Sequence, residues 1–158
     1  MIRVKMFKEI FYNELDNFHF VEKVNFDEVD DLASAMFDAY KNAPDYENDT
    51  LEDFKNEVNN IKSNLYGNVI EDASLCVKSS DGIIAAIFVA DFKDEATMTY
   101  CFTKKEHQGR GLAEALIKAS ENKLRELGYD KFYLYLTLSN QDAYNLFDAL
   151  GFTETEIK

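Results

Sequence analysis

The chain has 158 residues, 46% hydrophobic, 14% aromatic and 30% charged, enough apolar material for one ordinary domain with its own core. Lys and Arg number 17 against 30 Asp and Glu, a net charge of −13, which excludes general nucleic-acid binding through a basic footprint. Six Gly, one Pro and two Cys exclude a collagen-like repeat, a Pro-rich linker protein and a disulfide-stapled scaffold, and no apolar run approaches the length of a bilayer span.

At the start, Met1-Ile2-Arg3-Val4-Lys5-Met6 carries early positive charge, but Lys8, Glu9 and Asn13 interrupt any signal-peptide core. A soluble, cytoplasmic protein is the expectation, with no membrane partner. The opening segment reads two ways: Ile2, Val4 and Met6 alternate like a strand, whereas Phe7, Ile10, Phe11 and Leu15 sit at helical spacing. Phe18 to Val24 reads as a strand with Phe18, Phe20 and Val24 toward one face. Asp27 to Tyr40 is a helix whose stripe is Val29, Leu32, Ala33, Met36 and Phe37, and Pro44 ends that region. Thr50 to Leu65 is a second helix, opened by a capping-box-like Thr50 and Asp53 and followed by Gly67.

Strands then take over. Ser74 to Lys78 leads through the turn Ser79-Ser80-Asp81-Gly82 into Ile83 to Ala90, apolar throughout and so expected to be buried on both faces. Asp91 to Glu95 turns the chain into a third strand, Ala96 to Thr103, completing an antiparallel meander. A helix follows from about Arg110 to Leu127, with Ala113, Leu116, Ile117, Leu124 and Leu127 as its stripe and Gly128 as its stop. Phe132 to Leu138 alternates as a strand; Ser139 and Asn140 open a short helix closed by Gly151; Phe152 to Ile157 is a last strand. The order predicts a single α/β domain over residues 1–158, part of its sheet parallel through the last crossovers, with residues 1–17 an extension whose structure the pattern leaves open.

Charge is uneven along the chain. Eleven acids lie between Phe26 and Glu57 (Asp27, Glu28, Asp30, Asp31, Asp38, Asp45, Glu47, Asp49, Glu52, Asp53 and Glu57), opposed only by Lys41 and Lys55. Such a run is either a solvated, solubilising helix face or a rim that gathers a cationic amine. Cys76 and Cys101 fall in apolar stretches as small buried thiols, and the two His lack the neighbouring ligands of a metal site, so no metal is expected.

The segment with chemical information is Thr103-Lys104-Lys105-Glu106-His107-Gln108-Gly109-Arg110-Gly111-Leu112-Ala113. A strand runs into a loop with two Gly, and a long helix begins there. Successive amides at a helix start are unpaired and carry the positive end of its dipole, a geometry suited to phosphate. Lys104, Lys105, Arg110 and Lys118 oppose Glu106 and Glu114, a cationic island in an acidic chain.

Gln108, Gly111 and Ala113, with the strand before and the helix after, and then Asn140, Ala143, Leu146-Phe147 and Gly151-Phe152 in order, resemble the GNAT superfamily of acetyl-CoA-dependent N-acetyltransferases. The close resemblance covers about Ala96 to Phe152. It implies a GNAT-like fold, a mixed, mostly antiparallel sheet flanked by helices, shortened at its C-terminal end. It also implies acetyl-CoA as cosubstrate. The backbone of Gln108, Gly109, Arg110, Gly111, Leu112 and Ala113 would hold the pyrophosphate. Cys101, Phe102 and Thr103 would line the pantetheine and acetyl group, where a backbone amide would polarise the thioester carbonyl. Asn140 matches a position that contacts the pantetheine arm, and equally suits a plain helix N-cap.

Two residues depart from the family's pattern. Phe147 stands where many relatives place a Tyr that protonates the leaving thiolate. Tyr135 stands where many N-terminal-amine acetyltransferases place a Glu base. Tyr144, one turn before Phe147, is a candidate hydroxyl donor, and Glu95 a candidate base; Glu106 and His107 read as turn residues. The expected reaction is direct attack by a primary amine, of a small molecule or a peptide, within a ternary complex, with a small cationic amine favoured. A CoA-binding sensor that has lost catalysis is the alternative. The resemblance further implies a strand beyond the one beginning at Phe152. Either Ile2-Val4-Met6 pairs into that gap, or an exposed edge there pairs across a homodimer.

Overall fold

The computed structural model describes residues 3–15, 20–44 and 46–157. Strand β1 is Arg3–Glu9 and β2 is Glu22–Lys23; helix α1 spans Val29–Tyr40 and α2 spans Leu51–Lys62. Strand β3 is Asn68–Val69, β4 Leu75–Ser79, β5 Gly82–Phe92 and β6 Glu95–Thr103. Helix α3 (Leu112–Glu126), β7 (Lys131–Thr137), α4 (Gln141–Ala149) and β8 (Thr153–Thr155) complete the described elements. They form one mixed open sheet in the order β2-β4-β5-β6-β7-β1-β8, with β3 beside β5. Helices α1 and α2 cover one face; α3 and α4 pack on the other.

The expected meander is present: β4, β5 and β6 pair antiparallel in turn. Residues Ile83 to Ala90 of β5 are buried without a break, because they carry side chains into both core layers. Lys93 and Asp94 turn β5 into β6 with φ of 53° and 69°, the two left-handed residues of a tight hairpin. Strand β7 runs parallel to β6, as the crossover through α3 requires.

The opening segment is a strand and not a helix. Strand β1 pairs antiparallel with all of β7, from Arg3 opposite Thr137 to Glu9 opposite Lys131, and on its other side with β8. It fills the place between the last two strands, so long-range pairing decides what local spacing left open. Phe11 and Leu15, placed on a helical stripe by spacing, are instead exposed.

Several boundaries also differ from the sequence reading, three of them beside the sheet edges and the loop. The strand expected over Phe18 to Val24 shrinks to Glu22–Lys23, because β2 has a partner on one edge only; Phe20 is exposed, and Phe18 lies outside the described residues. Helix α3 starts at Leu112, since Gly111 holds a left-handed φ of 76° as its N-cap. The last strand is Thr153–Thr155, shorter than Phe152 to Ile157.

Candidate active site

The loop before α3 is closed by its own atoms. Lys104 N–H donates to the Ile84 carbonyl at 2.8 Å, a helical turn covers Lys105–His107, and the Gln108 side-chain amide donates to the Thr103 carbonyl at 3.0 Å. From α1, Asp38 accepts the Lys105 N–H at 2.9 Å, fixing the loop to the opposite layer. Gly109 and Gly111 hold φ of 79° and 76°, and a Cβ built on either would meet nothing within 4 Å, so this backbone faces open space.

The amides at this helix start are left open. None of the backbone N–H groups of residues 109–114 has a partner among the described residues, and no side chain caps α3. Ala115 N–H is the first to close back, on the Gly111 carbonyl. Gln108, Gly109, Arg110 and Gly111 are exposed; Leu112 is buried in the core and Ala113 half-buried, so those two offer backbone alone. Lys118 is taken by Glu114 at 3.0 Å, whereas Lys104, Lys105 and Arg110 have no carboxylate partner among the described residues. The free positive charge therefore lies on the loop itself.

A gap opens in the sheet along β6, the strand that leads into this loop. Strands β6 and β7 pair only from Ala96 opposite Phe132 to Met98 opposite Leu134. At the same point the register of β6 against β5 shifts, since Tyr100 lies opposite Phe88 and Met98 opposite Val89. Thr99 is the extra residue of a β-bulge, and its hydroxyl donates to the Phe88 carbonyl at 3.2 Å. The bulge bends β6 away from β7, leaving a cleft of about 260 Å³ lined by Thr99, Cys101, Leu136, Asn140, Ala143 and Phe147 among others.

Each side chain singled out in the sequence has a definite place. Cys101 lines the cleft, and burial pushes its thiol up to about 12; burial likewise raises Cys76 to about 11. Both stay protonated at neutral pH and are poor nucleophiles. The Phe102 side chain turns to the α1–α2 layer against Phe88, so only its backbone is on offer. Asn140 borders the cleft and also caps α4, its side-chain oxygen accepting the Ala143 N–H at 3.2 Å.

The two candidate acid–base groups are engaged elsewhere. The Tyr144 hydroxyl donates to Glu154 on β8 at 2.7 Å, which holds its pKa above the ordinary phenol value, and Tyr144 is not among the cleft's lining residues. Glu95 sits at the start of β6, before the gap, and accepts from the buried Lys5 ammonium at 2.8 Å. Phe147, which has no hydroxyl, lines the cleft together with Phe54 and the tyrosines Tyr40, Tyr46, Tyr100 and Tyr135.

Comparison with known proteins places the chain by family and by fold. The acetyltransferase (GNAT) family model aligns with residues 27–152. The chain belongs to that family. A curated relative, the [ribosomal protein bS18]-alanine N-acetyltransferase of Haemophilus ducreyi, is 32% identical over 78 residues, 49% of this chain. The match spans 54% of that relative, about half its length. A GCN5-related N-acetyltransferase from Sphaerobacter thermophilus superposes with a TM-score of 0.70 at 14% identity, over 97% of this chain and 48% of that one. The PaiA N-acetyltransferase of Thermoplasma acidophilum, solved with coenzyme A, superposes with a TM-score of 0.69 at 16% identity, over 88% and 92% of the two chains. At those identities the two structures speak for the fold.

One cluster near the GNAT cleft was not singled out from sequence. Glu57 on α2 accepts from the Tyr66 hydroxyl at 2.5 Å and from the Tyr100 hydroxyl through its other oxygen. These residues border a second, larger cavity of about 500 Å³, which shares Met98, Thr99, Tyr100 and Tyr135 with the cleft. The two hollows therefore meet at the gap between β6 and β7. In the sequence, Glu57 counted only as one acid in a run. The available hint was its place three residues past Phe54 and four before Ile61, both buried, which sets it at the border of the core stripe.

Part of the acidic run is taken up by contacts within the fold. Asp27 meets Lys62, Glu28 meets Lys78, Asp30 meets Lys55, Asp53 caps α2, and Asp38 holds the loop. Asp45 lies outside the described residues. Two of the run border the gap in the sheet: Asp49 the cleft and Glu57 the larger cavity. Among the described residues no group of His, Cys, Asp and Glu has the arrangement of a metal site. No helix of the described residues is long and apolar enough to cross a membrane.

Proposed function

We propose that this acetyltransferase moves the acetyl group of acetyl-CoA to a primary amine by direct attack, and that the acceptor is a small cationic amine. The observation that carries the reading is the parting of β6 from β7 just past Met98, on the strand that leads into the loop of open amides, which leaves a cleft that meets a second cavity. A diphosphate suits that loop: its amides are unpaired among the described residues, two Gly leave room for close approach, and Lys104, Lys105 and Arg110 supply charge.

Bound acetyl-CoA would supply an activated thioester. The chain's part is to hold and orient. The loop amides grip the anionic end, the divergent β6 backbone offers unpaired amides to a carbonyl, and the gap admits an amine from the α2 side. Holding reactants in near-attack geometry is worth ~7–11 kcal/mol, against about 10²–10⁴-fold for one acid–base group. A site with Phe147 in place of a hydroxyl can therefore still turn over. The Haemophilus relative acts on a protein's alanine; here the two acids at the gap favour an acceptor that arrives as a cation.

The test is thiol release from acetyl-CoA against a panel of amines and peptides, with cofactor binding followed by calorimetry, for the wild type and Gly111→Trp. Turnover that falls as salt is added, and loss of both binding and turnover in a folded Gly111→Trp protein, is the expected result. Undiminished binding in that variant removes the amide cup from the site. Phe147 also favours a second reading, a CoA-binding module without catalysis; binding with no thiol release across the whole panel would select it.

A further inference from the structure

The larger cavity differs in character from the cleft. Its walls are mostly ring and aliphatic surface, with Tyr66, Phe92, Tyr100 and Tyr135 prominent, and Glu57 is its carboxylate. At the β1 side stands Arg3, its guanidinium carbon 5.1 Å from the centre of the Tyr135 ring. We infer that this cavity receives the acceptor as a monoamine on an apolar or aromatic body, with Glu57 as the residue that holds its ammonium. The inference rests on the acetyl-transfer reading above and adds the anchor and the shape of the acceptor.

Three observations support it. First, Glu57 is held in place by two phenol donors, one on each oxygen, and a carboxylate has about four acceptor sites, so it can take a further donor. Burial, and then the carboxylate beside them, pushes Tyr66 up to about 12 and Tyr100 in the same direction, so both hydroxyls keep their protons at neutral pH and remain donors to Glu57. Second, the tyrosine rings of the lining can cover an apolar body, and Tyr135 already holds the Arg3 guanidinium over its ring. Third, Arg3 puts a positive charge in the same hollow. A second ammonium on the acceptor would meet that charge, which disfavours a polyamine and suits a neutral or anionic tail.

The experiment uses the full chain, acetyl-CoA and two probes, 2-phenylethylamine and spermidine. The wild type should acetylate 2-phenylethylamine with kcat/KM about tenfold or more above spermidine. Glu57→Gln should raise the KM for 2-phenylethylamine by about 10- to 100-fold, the usual worth of a hydrogen bond to a charged group, with acetyl-CoA affinity unchanged. Tyr100→Phe, which leaves the carboxylate but removes one of its donors, should raise the same KM by a smaller factor. Arg3→Ala should narrow the preference over spermidine. A wild type that prefers spermidine, or a Glu57→Gln protein with unchanged KM, overturns the inference and leaves the transfer reading intact. Acetyl-CoA binding without reaction of either probe also overturns it. Absence of acetyl-CoA binding defeats the transfer reading itself, and this inference with it.

Discussion

Tyr100 shows how much a single position can join. Its backbone follows the bulge at Thr99, its ring packs edge-on against Phe88, and its hydroxyl reaches Glu57 on α2. The same carboxylate fixes Tyr66, and Asp91 likewise accepts from Tyr129. Burial raises both Tyr66 and Tyr129 to about 12, with the neighbouring carboxylate adding to it. The sign of the linkage follows. A phenol whose folded pKa lies above its unfolded value of about 10 contributes stability that is complete below that pH and is lost as pH rises through the folded value. An absorbance titration should leave these hydroxyls protonated between about pH 10 and about pH 12, whereas the unfolded chain should titrate near 10 throughout. Urea midpoints should fall across the same window, and Tyr66→Phe should remove part of that fall.

At the scale of the element, α2 is the most self-contained piece. The Thr50 hydroxyl accepts the Asp53 N–H at 3.1 Å, and the Asp53 carboxylate accepts the Thr50 N–H at 2.8 Å, the reciprocal pair expected from the sequence. Thr50→Ala should cost about 1 kcal/mol, read from urea unfolding, with acetyl-CoA affinity unaffected. This cap was legible because its residues are three apart. The buried run Ile83 to Ala90 and the loop Gln108 to Ala113 were legible for the same reason: each is a local pattern. What sequence left open depends on partners far along the chain. Strand β1 needs β7 and β8 beside it, and Glu57 needs Tyr100, 43 positions on. Tyr144 and Glu95 drew attention by nearness in sequence to the site, but Glu154 and Lys5, supplied by the β8–β1 end of the sheet, engage them. The edge strand before α1 was overread because Phe20 follows the alternation without a face to pack on.

For the molecule as a whole, the segment after β1 is fastened to α3 by one buried carboxylate. Glu121 is 1% exposed and takes the Lys8 ammonium at 2.8 Å, the Phe11 N–H at 2.9 Å and the Asn13 side-chain amide at 2.8 Å. Asn13 and Asn122 exchange further bonds alongside. Glu121→Ala would strand a largely buried ammonium and two donors. Such losses cost about 3–5 kcal/mol, so the urea midpoint of this variant should drop sharply, while Lys8→Met with Glu121→Leu should recover most of it. The placing of β1 between β7 and β8 also bears on how the protein is made. The ribosome delivers this strand well before either neighbour, with the meander and α3 synthesised in between. A nascent chain must keep the strand's two hydrogen-bonding edges unpaired until β7 and β8 have emerged. Protease protection of the Arg3–Glu9 segment on stalled ribosomes should therefore appear later than that of the β4–β6 meander.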